Sequence, residues 1–298
     1  MTRRMTLPLA LVLAASLAAG TIGLACDDDE PADESNVQVV TSLEIFADMA
    51  RNVGGDSVQV DALLPPGADP HTYELAPNSV ADVARADVVF INGLGLEESI
   101  EDVVRNNADE VVELSEGLRV VEGEDEEGNP HLWLDVTNAM AYVERIRDTL
   151  VEVDPDGAGE YEANAEAYLA ELGKLDADME AAVQAIPAEN RKLVTFHDAY
   201  PYLAERYGLE VVGVAVPSPG QEPNAQDIAA LTETLESQGV PAAFKEPQFN
   251  AEVLELAADD AGVRVLDLLS DAFIEDVDSY TELMRYNMRQ LEEGLGGN

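Results

Sequence analysis

Residues 158–186 read AGEYEANAEAYLAELGKLDADMEAAVQAI, and their apolar positions Tyr161, Ala165, Tyr168, Leu172, Leu175, Met179, Val183 and Ile186 recur at steps of three and four. That is the period of a helix burying one stripe. Pro187 ends it, because proline lacks an amide hydrogen and disfavours helical geometry in the residue before it. At the standard rise such a helix runs about 40 Å, more than a crossover beside a single sheet needs. The stretch therefore predicts a spine joining two halves of the chain.

On either side of it, short β-branched runs alternate with helical stretches, the rhythm of an α/β protein. Before the spine, 37–41, 57–64, 88–91 and 111–112 read as strands, with helices over 44–53, 78–84 and 96–107. After it, 192–196, 210–216, 242–244 and 264–266 read as strands, with helices over 199–207, 224–238, 250–261 and 279–291. The expected architecture is two α/β lobes, each with a mainly parallel sheet, at 37–157 and 188–298, bridged by a long rigid helix at 158–187.

The N-terminus has a charged start, Met1-Thr2-Arg3-Arg4, and an apolar run from Leu7 to Ala25, the pattern of a secretory signal over 1–25. The single cysteine, Cys26, follows directly. A lone Cys after a small residue at this point resembles a bacterial lipoprotein cleavage site, so a lipidated Cys26 and an acidic tether over 26–36 are expected, with an uncleaved signal anchor as the alternative. Either places the folded part outside the cytoplasm. One thiol also excludes an internal disulfide. The formal net charge of −45 argues against binding nucleic acid or anionic lipid and favours attraction of cations.

The chain has three histidines. They occur in Asp69-Pro70-His71, Asn129-Pro130-His131-Leu132-Trp133-Leu134-Asp135 and Thr195-Phe196-His197-Asp198. Neutral imidazole is a common ligand for zinc and related metals. In open α/β sheets, ligands bind beyond the carboxyl ends of strands. His71 follows the 57–64 strand, His197 follows 192–196 and Asp267 follows 264–266, so the site is expected in the cleft between lobes. Four side chains would close the coordination sphere, which suits holding a metal rather than activating water on it. Glu246, after the 242–244 strand, could replace or supplement Asp267. Asp135 and Asp198 could orient ligand imidazoles, although each also reads as a helix cap or a surface charge.

Asp69-Pro70-His71-Thr72-Tyr73-Glu74, Asn92-Gly93-Leu94-Gly95-Leu96-Glu97, the segment around His131 and Met284-Arg285-Tyr286-Asn287 closely resemble the zinc/manganese solute-binding lipoproteins of bacterial ABC importers. The resemblance runs in order through nearly the whole chain from Val37. It implies one metal ion between the lobes, held by His71, His131, His197 and Asp267. In that family a histidine at the third position is associated with zinc, so Zn(II) is expected, with Mn(II) second. Many zinc members carry a histidine-rich loop before the second ligand; here 122–127 is acidic instead. The resemblance also implies a monomeric receptor delivering its ion to a membrane permease powered by a separate ATPase. Consistent with that division of labour, the sequence contains no phosphate-binding Gly-x-x-x-x-Gly-Lys-Ser/Thr loop. Two other classes compete: a secreted zinc hydrolase with an open three-histidine site and Glu74 as base, and a surface adhesin in which metal is structural.

Overall fold

Strands β1 (Val37–Thr41), β2 (Val58–Ala62), β3 (Val88–Ile91) and β4 (Val111–Glu113) form a parallel sheet in the order β2-β1-β3-β4. All four residues of β3 are buried, as expected of a parallel sheet covered on both faces. Helices α1 (Glu44–Gly54), α2 (Pro77–Val83) and α3 (Glu98–Asn107) make the crossovers. Gly55 ends α1 at φ 58°, a conformation glycine adopts without steric cost. This computed structural model describes residues 36–123, 128–217, 219–221 and 224–297. The signal, Cys26, the tether up to residue 35 and acidic residues 124–127 lie outside the described residues.

One helix stands where the strand and helix pattern suggested none. Residues Val136–Val153 form the 18-residue α4, which buries Val136, Ala139, Tyr142, Val143, Ile146 and Leu150 on one face. Asp135, considered above as a partner for a ligand imidazole or as a helix cap, caps it, accepting from Thr137 N at 2.8 Å and Thr137 Oγ1 at 2.7 Å. A short side chain accepting the first free amides is the ordinary way to start a helix.

Helix α5 (Ala158–Ala185) has 28 residues and buries the stripe read from the sequence as far as Val183, with Ala182 added; Ile186, the last residue of that stripe, is buried just beyond the helix end. It packs on α1 and α4 of the first half, and on α6 (Pro201–Tyr207) and α9 (Tyr280–Leu295) of the second. Strands β5 (Lys192–Thr195), β6 (Glu210–Val214), β7 (Ala242–Lys245) and β8 (Arg264–Asp267) form the second parallel sheet, ordered β6-β5-β7-β8. Helices α7 (Ala225–Gln238) and α8 (Glu252–Ala261) complete it. The two sheets therefore share one topology. They also share a corner: Thr41 Oγ1 donates to Leu43 O at 2.9 Å beyond β1, and Thr195 Oγ1 donates to His197 O at 2.9 Å beyond β5.

A central core including Phe46, Trp133, Leu172, Leu203, Phe244 and Leu291 runs through both halves, while smaller cores back the outer face of each sheet. Because this central core is continuous through the spine, the loops at the strand ends rest on common packing. Asn287 of α9 adds a polar clamp. Fully buried, it accepts from Leu269 N and donates to Leu269 O, both at 2.7 Å, fixing the chain just beyond β8. Truncating Asn287 to Ala leaves two buried backbone groups unpaired, so urea denaturation should show a loss of about 2–4 kcal/mol.

Candidate metal centre

Two of the three histidines are presented by the same local device. In Asp69-Pro70-His71 the His71 amide donates to Asp69 Oδ1 at 3.0 Å, and in Asn129-Pro130-His131 the His131 amide donates to Asn129 Oδ1 at 3.1 Å. Each is a turn closed by an Asx side chain around a proline whose φ is preset. The turns follow β2 and β4 and aim both rings inward. Asn129 does more than close its turn: its Oδ1 also lies 3.0 Å from His131 Nδ1, which turns Nε2 towards the other ligands. Its Nδ2 donates to Asp198 O at 2.6 Å, linking the turn to the residue after His197.

His197 arrives directly from β5, and its Nε2 lies 3.2 Å from His131 Nε2. The carboxylate that completes the group is Asp271, not Asp267. Potential ligand atoms of His71, His131, His197 and Asp271 all lie within 4.8 Å of one another. Asp271 Oδ1 is 3.4 Å from His131 Nε2, and Oδ2 is 3.9 Å from His197 Nε2. A tetrahedron with bonds of about 2.0–2.1 Å has edges of roughly 3.3–3.4 Å, so a small inward movement would seat a zinc-sized ion.

Asp267 falls short for a reason in the strand pairing. It is the last residue of β8, in register with Lys245, whose ammonium it faces electrostatically. The chain then buries Leu268 and Leu269, and Asp271 emerges beyond them with its side chain fully enclosed. The buried pair Leu268-Leu269 followed by Ser270-Asp271 was the available signal that the chain continues inward past the strand. Glu246 is also fully buried but contacts the far side of His197, at Nδ1. Glu74 is exposed.

The electrostatics are those of a cation site. Asp271 Oδ1 and Oδ2 and His71 Nε2 are buried without hydrogen-bond partners, and buried acceptors left unpaired are costly. Burial lowers His71 to about 4, helped by repulsion from His197 and opposed by Asp69. Burial, with repulsion from His197 and His71, drives His131 well below the usual imidazole range. Burial raises Asp271 to about 7. For His197, burial acts downward but is outweighed by Glu246, Asp271 and Asp69, which hold it up to about 9. Without a metal, positive charge is thus drawn to the middle of the group.

A cavity of about 50 Å³ opens over the imidazoles, with Leu94 and Gly95 in its wall. Leu94 has φ 55° between Gly93 at 82° and Gly95 at 72°, a left-handed conformation costing a leucine roughly 1–2 kcal/mol. Glu97 holds this loop. Its carboxylate accepts from Ser42 Oγ at 2.6 Å, Asn92 N at 2.8 Å and Gly93 N at 3.2 Å. Asn92 Nδ2 in turn donates to Pro130 O at 2.9 Å, beside His131.

Burial raises Glu97 to about 7 despite these donors. A carboxyl raised on folding contributes stability fully below its unfolded value near 4.5 and loses it as pH rises through about 7. Glu97→Gln, which mimics the protonated acid, should therefore gain stability over wild type between pH 5 and pH 8, as read from urea midpoints; parallel curves would contradict this. Trp133 supplies an optical readout. Its ring lies 5.4 Å from that of His131, and its Nε1 donates to Ser270 O at 3.0 Å, next to Asp271. Metal addition should change its fluorescence, and His131→Ala should abolish the change.

The profile of the family described as zinc-uptake complex component A, periplasmic, matches residues 39–294. The manganese-binding lipoprotein MntA of Halalkalibacterium halodurans is 36% identical over 272 residues, covering 88% of this chain and 90% of its own length. The manganese ABC transporter substrate-binding lipoprotein ScaA of Streptococcus gordonii is 30% identical over 294 residues, covering 92% and 95% respectively. Among solved structures, the periplasmic zinc-binding protein TroA from Treponema pallidum matches with a TM-score of 0.82 at 30% identity, over 88% of this chain and 100% of that one. With its two parallel sheets, long bridging helix and buried group of donors, the chain belongs to the zinc-uptake complex component A periplasmic family.

Proposed function

We propose that this protein is the extracytoplasmic receptor of an ABC importer. It captures Zn(II), with Mn(II) as the second candidate, through His71, His131, His197 and Asp271. It is a monomer anchored through lipidated Cys26, and it hands its ion to a membrane permease driven by a separate ATPase. The observation that carries this reading is the group of buried acceptors without hydrogen-bond donors, which a cation would satisfy together.

Three imidazole nitrogens and one carboxylate favour zinc on ligand type, while metal supply can override intrinsic preference. The relatives' names include both ions. The hydrolase reading gains no support from its proposed base, Glu74, which is exposed and is not among the clustered donors. The adhesin reading makes a different prediction about the empty protein. A receptor that loads and unloads stays folded without metal, and the continuous central core supports this independence.

Metal-stripped protein should keep its circular dichroism spectrum and cooperative melt. Zinc at a hundredfold excess over Kd should then stabilise it by about 2.7 kcal/mol; unfolding on metal removal would favour a structural ion. In competitive titrations, Asp271→Ala should weaken zinc binding by more than about 100-fold, beyond the range usual for residues that only support a ligand. Asp267→Ala should leave it near wild type. The reverse ranking would return the carboxylate ligand to Asp267.

A further inference from the structure

Glu246 is fully buried at the carboxyl end of β7, and its Oε1 lies 2.5 Å from His197 Nδ1. The opposite ring nitrogen, Nε2, is the one that faces His131 and Asp271. Ser270 Oγ donates to the same Glu246 oxygen at 3.0 Å, and Ser270 is itself held by Trp133 Nε1 through its carbonyl. One carboxylate therefore joins the loop after β7 to the chain after β8, touching His197 and the neighbour of Asp271. Phe249 stands edge-on to the His197 ring, at 5.4 Å and 86°, and restricts its tilt.

The other imidazole with an identified Nδ1 partner is treated differently. His131 Nδ1 faces the neutral amide oxygen of Asn129, whereas His197 Nδ1 faces a carboxylate. Carboxylates behind metal-bound imidazoles fix the tautomer and strengthen the ring as a donor. A second buried carboxylate also adds to Asp271 the negative charge that balances a divalent ion away from water.

Resting on the metal-receptor reading above, we propose that Glu246 is a positioning residue for His197, holding its Nε2 towards the ion and supplying the second balancing charge without ligating the ion itself. Full-length Glu246→Ala should bind zinc about 10–100-fold more weakly than wild type. Glu246→Gln can still accept from Nδ1–H but carries no charge, so it should retain the ring orientation and lose about tenfold. Ser270→Ala should weaken binding less than either.

A proton signal separates orientation from general damage. In the zinc-loaded protein, His197 Nδ1–H should resonate far downfield and exchange slowly with water. The signal should move upfield in Glu246→Gln and exchange rapidly in Glu246→Ala. The proposal is overturned if both Glu246 variants bind as wild type with that signal unchanged, or if a Glu246 oxygen ligates the ion. His131→Ala is the control. If it abolishes binding while both Glu246 variants bind as wild type, only this inference fails; if it too leaves binding intact, the receptor reading fails with it. Should Glu246→Ala not fold, Glu246→Gln and Ser270→Ala decide.

Discussion

Two imidazole nitrogens, His131 Nε2 and His197 Nε2, stand 3.2 Å apart in a buried space that also holds His71 Nε2 and two carboxylate oxygens of Asp271 lacking hydrogen-bond partners. Concentrating acceptors in this way is unfavourable unless positive charge enters among them. Much of the surrounding structure prevents the group from relieving the strain by spreading apart. The Asx-Pro turns fix the approach of His71 and His131, and Asn287 clamps the chain leading to Asp271.

The arrangement depends on both sheets at once. His71 and His131 come from the first half, and His197 and Asp271 from the second, so neither half alone offers more than two of these donors. Helix α5 and the continuous core keep the halves in register. Cross-connections close to the site add to this, among them Asn129 Nδ2 to Asp198 O and Trp133 Nε1 to Ser270 O. A scaffold that is already organised loses little conformational freedom when an ion enters, which favours affinity.

Much of the fold is legible in the residues because strong local signals coincide. The stripe of α5 has an unbroken helical period with a proline after it, and the strands are short apolar runs between turns. Helix α4 escapes that reading because its starting signal, Asp135, stands close enough to His131 to suggest a role at the metal as readily as a cap. Within the site, all three histidines converge. The carboxylate does not follow from the strand-end rule, since that rule marks where a strand stops rather than how far its buried continuation carries the chain. Glu246 illustrates the same limit: its position after β7 brings it to the site, but only the packed structure puts it behind His197 rather than beside His131.

In the proposed receptor one divalent cation is shared by His71, His131, His197 and Asp271. Anomalous diffraction at the zinc absorption edge from crystals of the zinc-loaded protein tests it most directly. A single strong peak is expected within bonding distance, about 2.0–2.2 Å, of three imidazole nitrogens and an Asp271 oxygen. A peak coordinated by Asp267, or zinc dispersed over surface carboxylates with none among the imidazoles, would contradict it.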